Sequence, residues 1–238
     1  MTQAKAPRPT STRRRNNLTK MNQTPTYEPL ILASGSTIRQ TLLANTGFVF
    51  QVQTADIDER AIEADLRTTL QEGETSRLAE ALASAKAASV SKREPSALVI
   101  GADQILDHAG EVLHKAPTQS AAIEKLRRLQ GSSHRLTSAA ALARGGDIVW
   151  TGSLAATLSM RPLTDQACAQ YVAKAGVAAT ESVGAYRLEE LGAHLFDRIE
   201  GDYFTILGMP LLPLLSALRA EGHDPLNLRS KQLAHDPR

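Results

Sequence analysis

Residues 30–43 place a short apolar run directly before small hydroxylated residues, and a helical pattern follows. This order predicts a strand that passes into a helix, with Ser34, Gly35 and Ser36 at the helix N-terminus. Backbone N–H groups there lack partners within the helix, and the helix dipole adds partial positive charge. Such a turn binds anions, and Arg39 in the first helical turn could offer a planar fork to a phosphate. An ordinary serine-capped surface helix is the alternative.

The charge of the chain is divided unevenly between its beginning and its body. Six Lys and Arg residues and no Asp or Glu fall within the first 27 residues. The other residues carry 21 basic and 25 acidic side chains, a net charge of −4, although the whole chain is at +2. An acidic body offers no broad basic surface for a polyanion, so we expect no specific nucleic-acid partner.

The composition predicts three regions along the chain. We expect a disordered basic N-terminal tail over residues 1–27, a domain over residues 28–221 and a flexible C-terminal tail over residues 222–238. The N-terminal segment has few apolar side chains to bury. It has three interpretations: a solvated extension or a translation start misassigned upstream of Met21, a targeting peptide, or an arm that binds polyanions weakly. Two prolines and the lack of a helical apolar face argue against targeting.

The cysteine count and the hydropathy pattern limit the compartment. Cys168 is the only cysteine, so no disulfide can form within the chain, as is usual in a reducing compartment. The longest apolar stretch, residues 206–218, contains Pro210 and Pro213 and is too short to cross a bilayer. We therefore expect a cytoplasmic protein with no membrane partner.

Apolar residues recur with strand and helix periods that alternate along the chain. This interleaving predicts an α/β fold, a mixed sheet flanked by helices in a single domain. Two hairpins are expected, with turns at residues 107–110 and 145–147. Residues 176–192 are predicted to be loop and turn. The first of these hairpins covers residues 105–113. The other predicted strands are residues 48–53, 97–103, 134–143 and 148–160. The other predicted helices are 76–90, 118–129 with a cap at Thr118, 164–171 with a cap at Thr164, and one opened by 208–210.

Several charged side chains have the chemistry of a phosphate-processing site. Asp103 is predicted to end a buried strand, where a carboxylate can bind Mg²⁺ or accept a proton. Asp58 and Glu59 form an acidic loop, Lys86 lies on a predicted helix, and Lys115 follows a hairpin. Taken singly, each also has a purely structural interpretation. Asp103 can be a turn former, the acidic loop a solvated loop, and the two lysines exposed cations. Together with the anion-binding turn they describe a nucleotide phosphohydrolase.

Nine ordered motifs carry a resemblance to a known family. They are Leu32-Ala33-Ser34-Gly35-Ser36 with Arg39, Ile57-Asp58-Glu59, Ala85-Lys86-Ala87, Ile100-Gly101-Ala102-Asp103, Lys115-Ala116-Pro117, Gly131-Ser132-Ser133-His134, Gly184-Ala185-Tyr186, Glu200-Gly201-Asp202-Tyr203 and Gly208-Met209-Pro210-Leu211. On these motifs the chain resembles the Maf family of nucleoside triphosphate pyrophosphatases from about Leu30 to Leu218. The resemblance implies a Maf/ITPase-like fold, a single domain with two lobes around a nucleotide cleft.

The same resemblance implies a reaction and a set of roles. A nucleoside triphosphate would be hydrolysed between its α- and β-phosphates, with a divalent cation, Mg²⁺ or Mn²⁺, as cofactor. Asp103 would activate water and hold the metal together with Glu59, while Lys86 and Lys115 would neutralise charge on phosphoryl oxygens. Family analogy also suggests a homodimer. The substrate-binding residues would include Ser34, Gly35, Ser36 and Arg39.

Three residues depart from the common family motifs at positions that the resemblance assigns to the base. They are Ile38, Gln104 and Glu189. With this combination the chain resembles the branch that hydrolyses 7-methyl-GTP. A carboxylate can accept both N–H donors of a guanine edge, and it tolerates the positive charge of methylation at N7. A helix-start role is the structural alternative for Glu189. Ser182 also replaces a family lysine, which removes a cation.

Two other functions remain open from the sequence. A dTTP or UTP pyrophosphatase of the same family would differ in its base preference, which a substrate panel would show. A regulatory septum-formation or nucleic-acid-binding protein is an alternative of another class. The acidic body and the retained carboxylates and lysines argue against that second alternative.

Overall fold

The structure, a computed structural model, describes residues 28–67 and 74–226. The predicted N-terminal tail and the end of the predicted C-terminal tail lie outside the described residues. The strands are β1 (Leu30–Leu32), β2 (Gln51–Val52), β3 (Leu98–His108), β4 (Glu111–Leu113), β5 (Ser133–Arg144), β6 (Asp147–Met160) and β7 (Phe196–Glu200). The helices are α1 (Thr37–Asn45), α2 (Glu59–Arg67), α3 (Thr75–Arg93), α4 (Gln119–Leu129), α5 (Asp165–Ala175), α6 (Ala178–Glu181), α7 (Tyr203–Ile206) and α8 (Leu211–Ala220), with a 3₁₀ turn at Leu191–Leu195.

The described strands form one mixed sheet. Its order is β2-β1-β3-β5-β6-β7, and β4 pairs with the far end of β3. Strand β1 runs parallel to both β2 and β3, whereas the pairs from β3 to β5, β5 to β6 and β6 to β7 are antiparallel. The predicted α/β fold with a mixed sheet flanked by helices is confirmed.

Strand β3 divides the core because its side chains alternate between the two sheet faces. Val99 and Ile105 face the side that α3 covers, where they join apolar residues of that helix. On the other face, Ile100 packs with α1 and α8 at one end of the sheet. Leu106 packs with α4 and α5 at the other end. One sheet therefore supports two separate apolar clusters on the face opposite α3.

The two long hairpins close through two-residue turns. Ala109 and Gly110 link β3 to β4, and Gly145 and Gly146 link β5 to β6. All four residues have positive φ, between 54° and 101°, as a tight turn that matches the strand twist requires. Both predicted hairpins are confirmed, and so is the threonine N-cap of α4, since Thr118 Oγ1 accepts from the backbone N–H of Ala121 at 3.2 Å.

Several predicted boundaries are wrong. Strand β3 does not end at Asp103 but continues to His108, because β5 pairs with it through Asp107. The predicted strand at residues 48–53 shrinks to Gln51–Val52, since only β1 is beside it. The predicted loop at residues 176–192 contains α6 and the start of the 3₁₀ turn. In each case tertiary pairing or packing overrides the local pattern.

The beginning and end of the described body are joined by an ionic cluster. Arg144 at the end of β5 contacts both Glu28 and Glu221, with Nη2 at 3.1 Å from Glu221 Oε2. His223 Nε2 lies 3.3 Å from Glu28 Oε2. The hydrogen bond from Arg144 lowers the pKa of Glu28. No helix in the described residues is both long and apolar enough to cross a bilayer.

Candidate active site

The carboxylate of Asp103 lies in the middle of the sheet, on the face that α3 covers. Asp103 sits opposite Ala139 of β5, and only 7% of the residue is exposed. Its Oδ1 accepts a hydrogen bond from Lys86 Nζ of α3 at 2.6 Å. Because both side chains are mostly buried, the ammonium offsets the cost of burying the carboxylate charge.

Small residues allow α3 to come close enough for this contact. Gly101 lies two residues before Asp103 on the same face, and a Cβ there would be 2.0 Å from the carbonyl oxygen of Ala83. It would also be 2.7 Å from the backbone nitrogen of Ala87. The backbone of α3 therefore rests directly on β3, and Lys86, one residue before Ala87, reaches the carboxylate.

A second carboxylate reaches the same ammonium. Glu59 Oε1 lies 2.8 Å from Lys86 Nζ, and just over half of the Glu59 side chain is exposed. Glu59 is the first residue of α2, a position fixed by Asp58, whose Oδ1 accepts from the backbone N–H of Ala61 at 3.0 Å. One buried and one exposed carboxylate thus converge on Lys86, which brings together three of the predicted site residues.

The donor set of this cluster suits a hard divalent cation. Carboxylate oxygens are the protein ligands that Mg²⁺ prefers, and it is usually bound by one or two of them plus substrate phosphates and waters. Within residues 28–67 and 74–226, no group of three or more His, Cys, Asp or Glu side chains is arranged to enclose a metal. Asp103 and Glu59 fit a cation that completes its shell with a phosphate ligand, and they do not fit an all-protein cage.

Lys115, predicted to be catalytic, is exposed just after β4. In the part of the chain that the structure describes, no hydrogen bond or ion pair engages its ammonium. Its neighbour His114 is held instead, with Nε2 at 3.4 Å from Glu63 Oε2 of α2. Lys115 therefore follows a residue that α2 holds, and α2 is the helix that begins at Glu59.

The turn from β1 to α1 has the predicted geometry. The backbone N–H of Ala33 donates to Ile100 O of β3 at 2.7 Å, which sets the turn beside the strand that carries Asp103. Ser34 is buried, and its Oγ accepts from the N–H of Ser36 at 3.3 Å. Ser36 is the extended N-cap residue of α1, but its side chain makes no capping hydrogen bond. The alternative of an ordinary serine-capped helix is therefore wrong for α1. The first backbone N–H groups of α1 remain able to bind an anion.

Arg39 holds this turn to the sheet. Its Nε donates to Gly208 O at 2.8 Å, and Nη1 donates to Ala102 O at 2.9 Å and to Ser34 Oγ at 3.3 Å. Burial lowers the pKa of Arg39, while Asp103 and Glu59 oppose that shift. The guanidinium thus joins α1, β3 and the segment before α8. Its predicted contact with the triphosphate stays a prediction, together with those of Ser34, Gly35 and Ser36.

The three residues predicted to line the base lie on three different parts of the fold, namely α1, β3 and the turn before the 3₁₀ segment. Gln104 lies on the sheet face opposite Asp103, and its Nε2 donates to Ser138 Oγ and to the carbonyls of Thr205 and Ile206 at 2.9–3.1 Å. Ile38 packs against the apolar cluster below α1 and α8. Glu189 is exposed on a turn before the 3₁₀ segment. Among the described residues no hydrogen bond or ion pair joins Glu189 to the other two, and the roles of all three in base selection stay predictions.

A buried pair to which the sequence motifs alone assign no role anchors the turn that leads to Glu189. Tyr186 Oη and His134 Nε2 lie 2.6 Å apart, and the Phe196 ring packs against both. Burial lowers the pKa of His134 to about 4 and raises that of Tyr186. Both residues belong to the nine sequence motifs described above, so these motifs were the available signal. Only the fold shows that the two side chains are in contact.

The fold and the site together define a class, a mixed-sheet α/β protein with a buried carboxylate–ammonium pair beside an uncapped strand-to-helix turn. The model of the family described as Maf-like protein matches residues 29–221, so the chain belongs to the Maf family. The predicted resemblance is confirmed.

Relatives with named activities cover nearly the same region. The chain is 48% identical over 193 residues to the 7-methyl-GTP pyrophosphatase of Rhizobium etli, an alignment that spans 81% of this chain and 96% of that protein. It is 47% identical over 194 residues to the nucleoside triphosphate pyrophosphatase of Nitrobacter winogradskyi, spanning 82% and 94% of the two chains. The 7-methyl-GTP pyrophosphatase of Brucella abortus is 46% identical over 193 residues, 81% of this chain and 96% of that protein.

Proposed function

We propose that this protein is a nucleoside triphosphate pyrophosphatase that hydrolyses 7-methyl-GTP, or another modified nucleotide, to the monophosphate and pyrophosphate. The observation that carries the proposal is the Asp103 carboxylate, buried in the sheet and bound to Lys86 at 2.6 Å. The relatives with named pyrophosphatase activity, matched over four-fifths of the chain, support it.

Asp103 is the proposed proton acceptor. Its Oδ1 is occupied by Lys86, while no hydrogen bond in the described residues engages Oδ2, which leaves that oxygen able to accept from a water molecule. Water placed there would attack a phosphoryl group held at the adjacent turn of β1 and α1. Positioning and charge neutralisation are sufficient for such a transfer, so a cysteine nucleophile is not needed.

We propose that a divalent cation is the cofactor and that Asp103 and Glu59 hold it. When bound, the cation would neutralise phosphate oxygens and acidify a water molecule. Lys86, which now balances both carboxylates, would then be freed in part to contact phosphoryl oxygens. Lys115 would add a second cation, because its exposed ammonium has no other partner in the described residues. Both lysines would stabilise negative charge as it develops on the transferred group.

The base would be selected by Glu189, with Ile38 and Gln104 as the other predicted contacts. A guanine edge offers two N–H donors to a carboxylate, whereas uracil and thymine present carbonyl oxygens beside their single N–H. A dTTP or UTP preference is the alternative within the family. Two of the matched relatives described above are named for 7-methyl-GTP, which favours the guanine reading.

A substrate panel tests the proposal. Pyrophosphate release would be measured on 7-methyl-GTP, GTP, dTTP and UTP, with and without Mg²⁺ or Mn²⁺, for the full chain. We expect pyrophosphate from 7-methyl-GTP in the presence of metal and none with a chelator. Release without any metal would contradict the cofactor, a preference for dTTP or UTP would contradict the base assignment, and no release from any nucleotide would overturn the function.

We also propose that the protein is a cytoplasmic homodimer that needs no nucleic acid. Strand β6 pairs with β7 only through Thr157–Met160, so its earlier residues present an edge with no further strand in the described part of the chain. Ile148, Val149 and Leu154 on this stretch are each about 40% exposed. An apolar strand edge of this kind favours pairing with another copy. Light scattering after size-exclusion chromatography should give twice the chain mass of 25.6 kDa, and a monomer would contradict the proposal.

A further inference from the structure

Lys125 of α4 joins two segments that lie far apart in the sequence. Its Nζ donates to His114 O and, at 2.9 Å, to Val183 O. The first carbonyl belongs to residues 114–118, here called the Lys115 segment. The second belongs to residues 182–186, here called the Gly184 turn, which leads to Glu189. In the described residues Lys125 forms no ion pair, so its hydrogen bonds to these two segments are its main interactions.

We propose that Lys125 is a positioning residue for the pyrophosphatase reaction, holding the Lys115 segment and the Gly184 turn in fixed relation to each other. The inference rests on the proposed function, in which Lys115 acts at the phosphates and Glu189 at the base. Lys125 touches neither group. It acts through the backbone of both segments, and it therefore couples the phosphate end of the site to the base end.

The Gly184 turn has a conformation that needs such support. Ala185 has a φ of 61°, in the left-handed region that a residue with a Cβ rarely adopts. A Cβ on Gly184 would lie 2.3 Å from the ring of Tyr186, so the turn is folded tightly onto that ring. The N–H of Ala185 donates to Ser182 O at 3.1 Å, and His134 holds the Tyr186 hydroxyl. Lys125 supplies the attachment that ties this turn to another part of the site.

The Lys115 segment is also held from two sides. Glu63 of α2 contacts the imidazole of His114, and Lys125 of α4 binds the carbonyl of the same residue. Burial, with a smaller effect of Arg128, lowers the pKa of Lys125 to about 8. A neutral amine still has two hydrogens to donate, so both carbonyl contacts can persist in either protonation state. Position, and not charge, is what Lys125 supplies.

Three variants test the role of Lys125. Lys125→Met keeps the length of the side chain without any donor, Lys125→Arg keeps donors, and Lys174→Met removes an exposed lysine from the last turn of α5 as a control. We expect Lys125→Met to lower kcat/KM for 7-methyl-GTP by about ten- to a hundredfold, mostly in kcat, because displaced groups lose their alignment. Lys125→Arg should restore most of the loss, and Lys174→Met should match the wild type.

A double-mutant cycle separates positioning from a general loss of stability. If Lys125 acts through Lys115, adding Lys125→Met to Lys115→Ala should lower kcat/KM far less than it does in the wild type. Lys125→Met should also narrow the preference for 7-methyl-GTP over dTTP. If the losses of kcat/KM from the two substitutions multiply and the preference for 7-methyl-GTP over dTTP is unchanged, Lys125 has only a structural role and the inference is overturned. If Lys125→Met does not fold, Lys125→Gln, which is too short to reach both carbonyls, takes its place.

The outcomes distinguish the inference from the function on which it rests. A wild-type protein that releases no pyrophosphate from any of the four nucleotides overturns the proposed function and the inference together. An active wild type whose Lys125→Met variant has unchanged kcat and KM overturns the inference alone.

Discussion

Replacing Lys86 with Met should leave a buried negative charge without compensation. The substitution keeps the length of the side chain but removes the ammonium that lies 2.6 Å from Asp103 Oδ1. Both side chains are about nine-tenths buried, and removing one partner of a buried ion pair costs about 3–5 kcal/mol. We expect the free energy of unfolding at pH 7 to fall by this amount, which is a large part of the stability of an ordinary domain.

A second substitution should recover most of that loss. Asp103→Asn added to Lys86→Met removes the uncompensated charge, and a neutral buried pair is often as stable as the ionic one. The matched control is Glu59→Gln, because Glu59 contacts the same ammonium but is half exposed. Exposed ion pairs contribute about 0–1 kcal/mol, so this variant should unfold close to the wild type.

Urea unfolding in the presence of a chelator measures all four proteins without interference from metal. The expected order of stability is wild type and Glu59→Gln together, then the double variant, with Lys86→Met lowest. A Lys86→Met protein within about 1 kcal/mol of the wild type, or a double variant no more stable than Lys86→Met, would refute the description of Asp103 and Lys86 as a buried ion pair.

Three further predictions concern packing, base selection and pH. Gly101→Ala should lower the free energy of unfolding by about 1–3 kcal/mol and lower activity, because the added Cβ would push α3 away from β3 at Ala83 and displace Lys86. Unfolding and kinetics equal to those of the wild type would refute the close packing. Glu189→Gln should narrow a preference of roughly a hundredfold in kcat/KM for 7-methyl-GTP over dTTP, and an unchanged ranking would remove Glu189 from base recognition. Because burial lowers the pKa of His134 to about 4, the unfolded chain binds a proton that the folded one does not as pH falls from about 6.5 to 4. The contribution of His134 to the free energy of unfolding is fully present above pH 6.5 and should fall by about 3 kcal/mol between pH 6.5 and 4. His134→Gln should lose less stability between these pH values, and a loss equal to that of the wild type would contradict the assignment.

Local chemistry made much of the fold predictable from the sequence. The Gly145-Gly146 turn and the threonine caps of α4 and α5 depend on contacts within a few residues, and both appear as expected. The end of β3 was misplaced because Asp103 reads as a residue that stops a strand. The charge of Asp103 is tolerated in the middle of the sheet because Lys86 of α3 forms an ion pair with it. The local sequence pattern around Asp103 does not predict this contact.

The site was predictable in its residue types but not in its geometry. Asp103, Lys86 and Glu59 were expected to belong to one site, and the structure brings them onto a single nitrogen. The Arg39 guanidinium donates hydrogen bonds to the backbone carbonyls of Ala102 and Gly208. Contacts of this kind cannot be predicted from the sequence, because every residue has a backbone carbonyl. The strand alternation that turns Gln104 away from Asp103 would have been visible had the strand been extended past Asp103.

The products formed from 7-methyl-GTP test the central claim most directly. Phosphorus NMR would follow the full chain and its Asp103→Asn variant with Mg²⁺ or Mn²⁺ present. Removing the charge and the base without changing the volume should abolish turnover and leave nucleotide binding largely intact. The fold should persist because Lys86 keeps Glu59 as a partner at 2.8 Å. We expect the wild type to form pyrophosphate and 7-methyl-GMP in equal amounts, and the variant to form neither. Release of inorganic phosphate and a diphosphate by the wild type, or an Asp103→Asn variant within a few-fold of wild-type activity, would contradict the assignment.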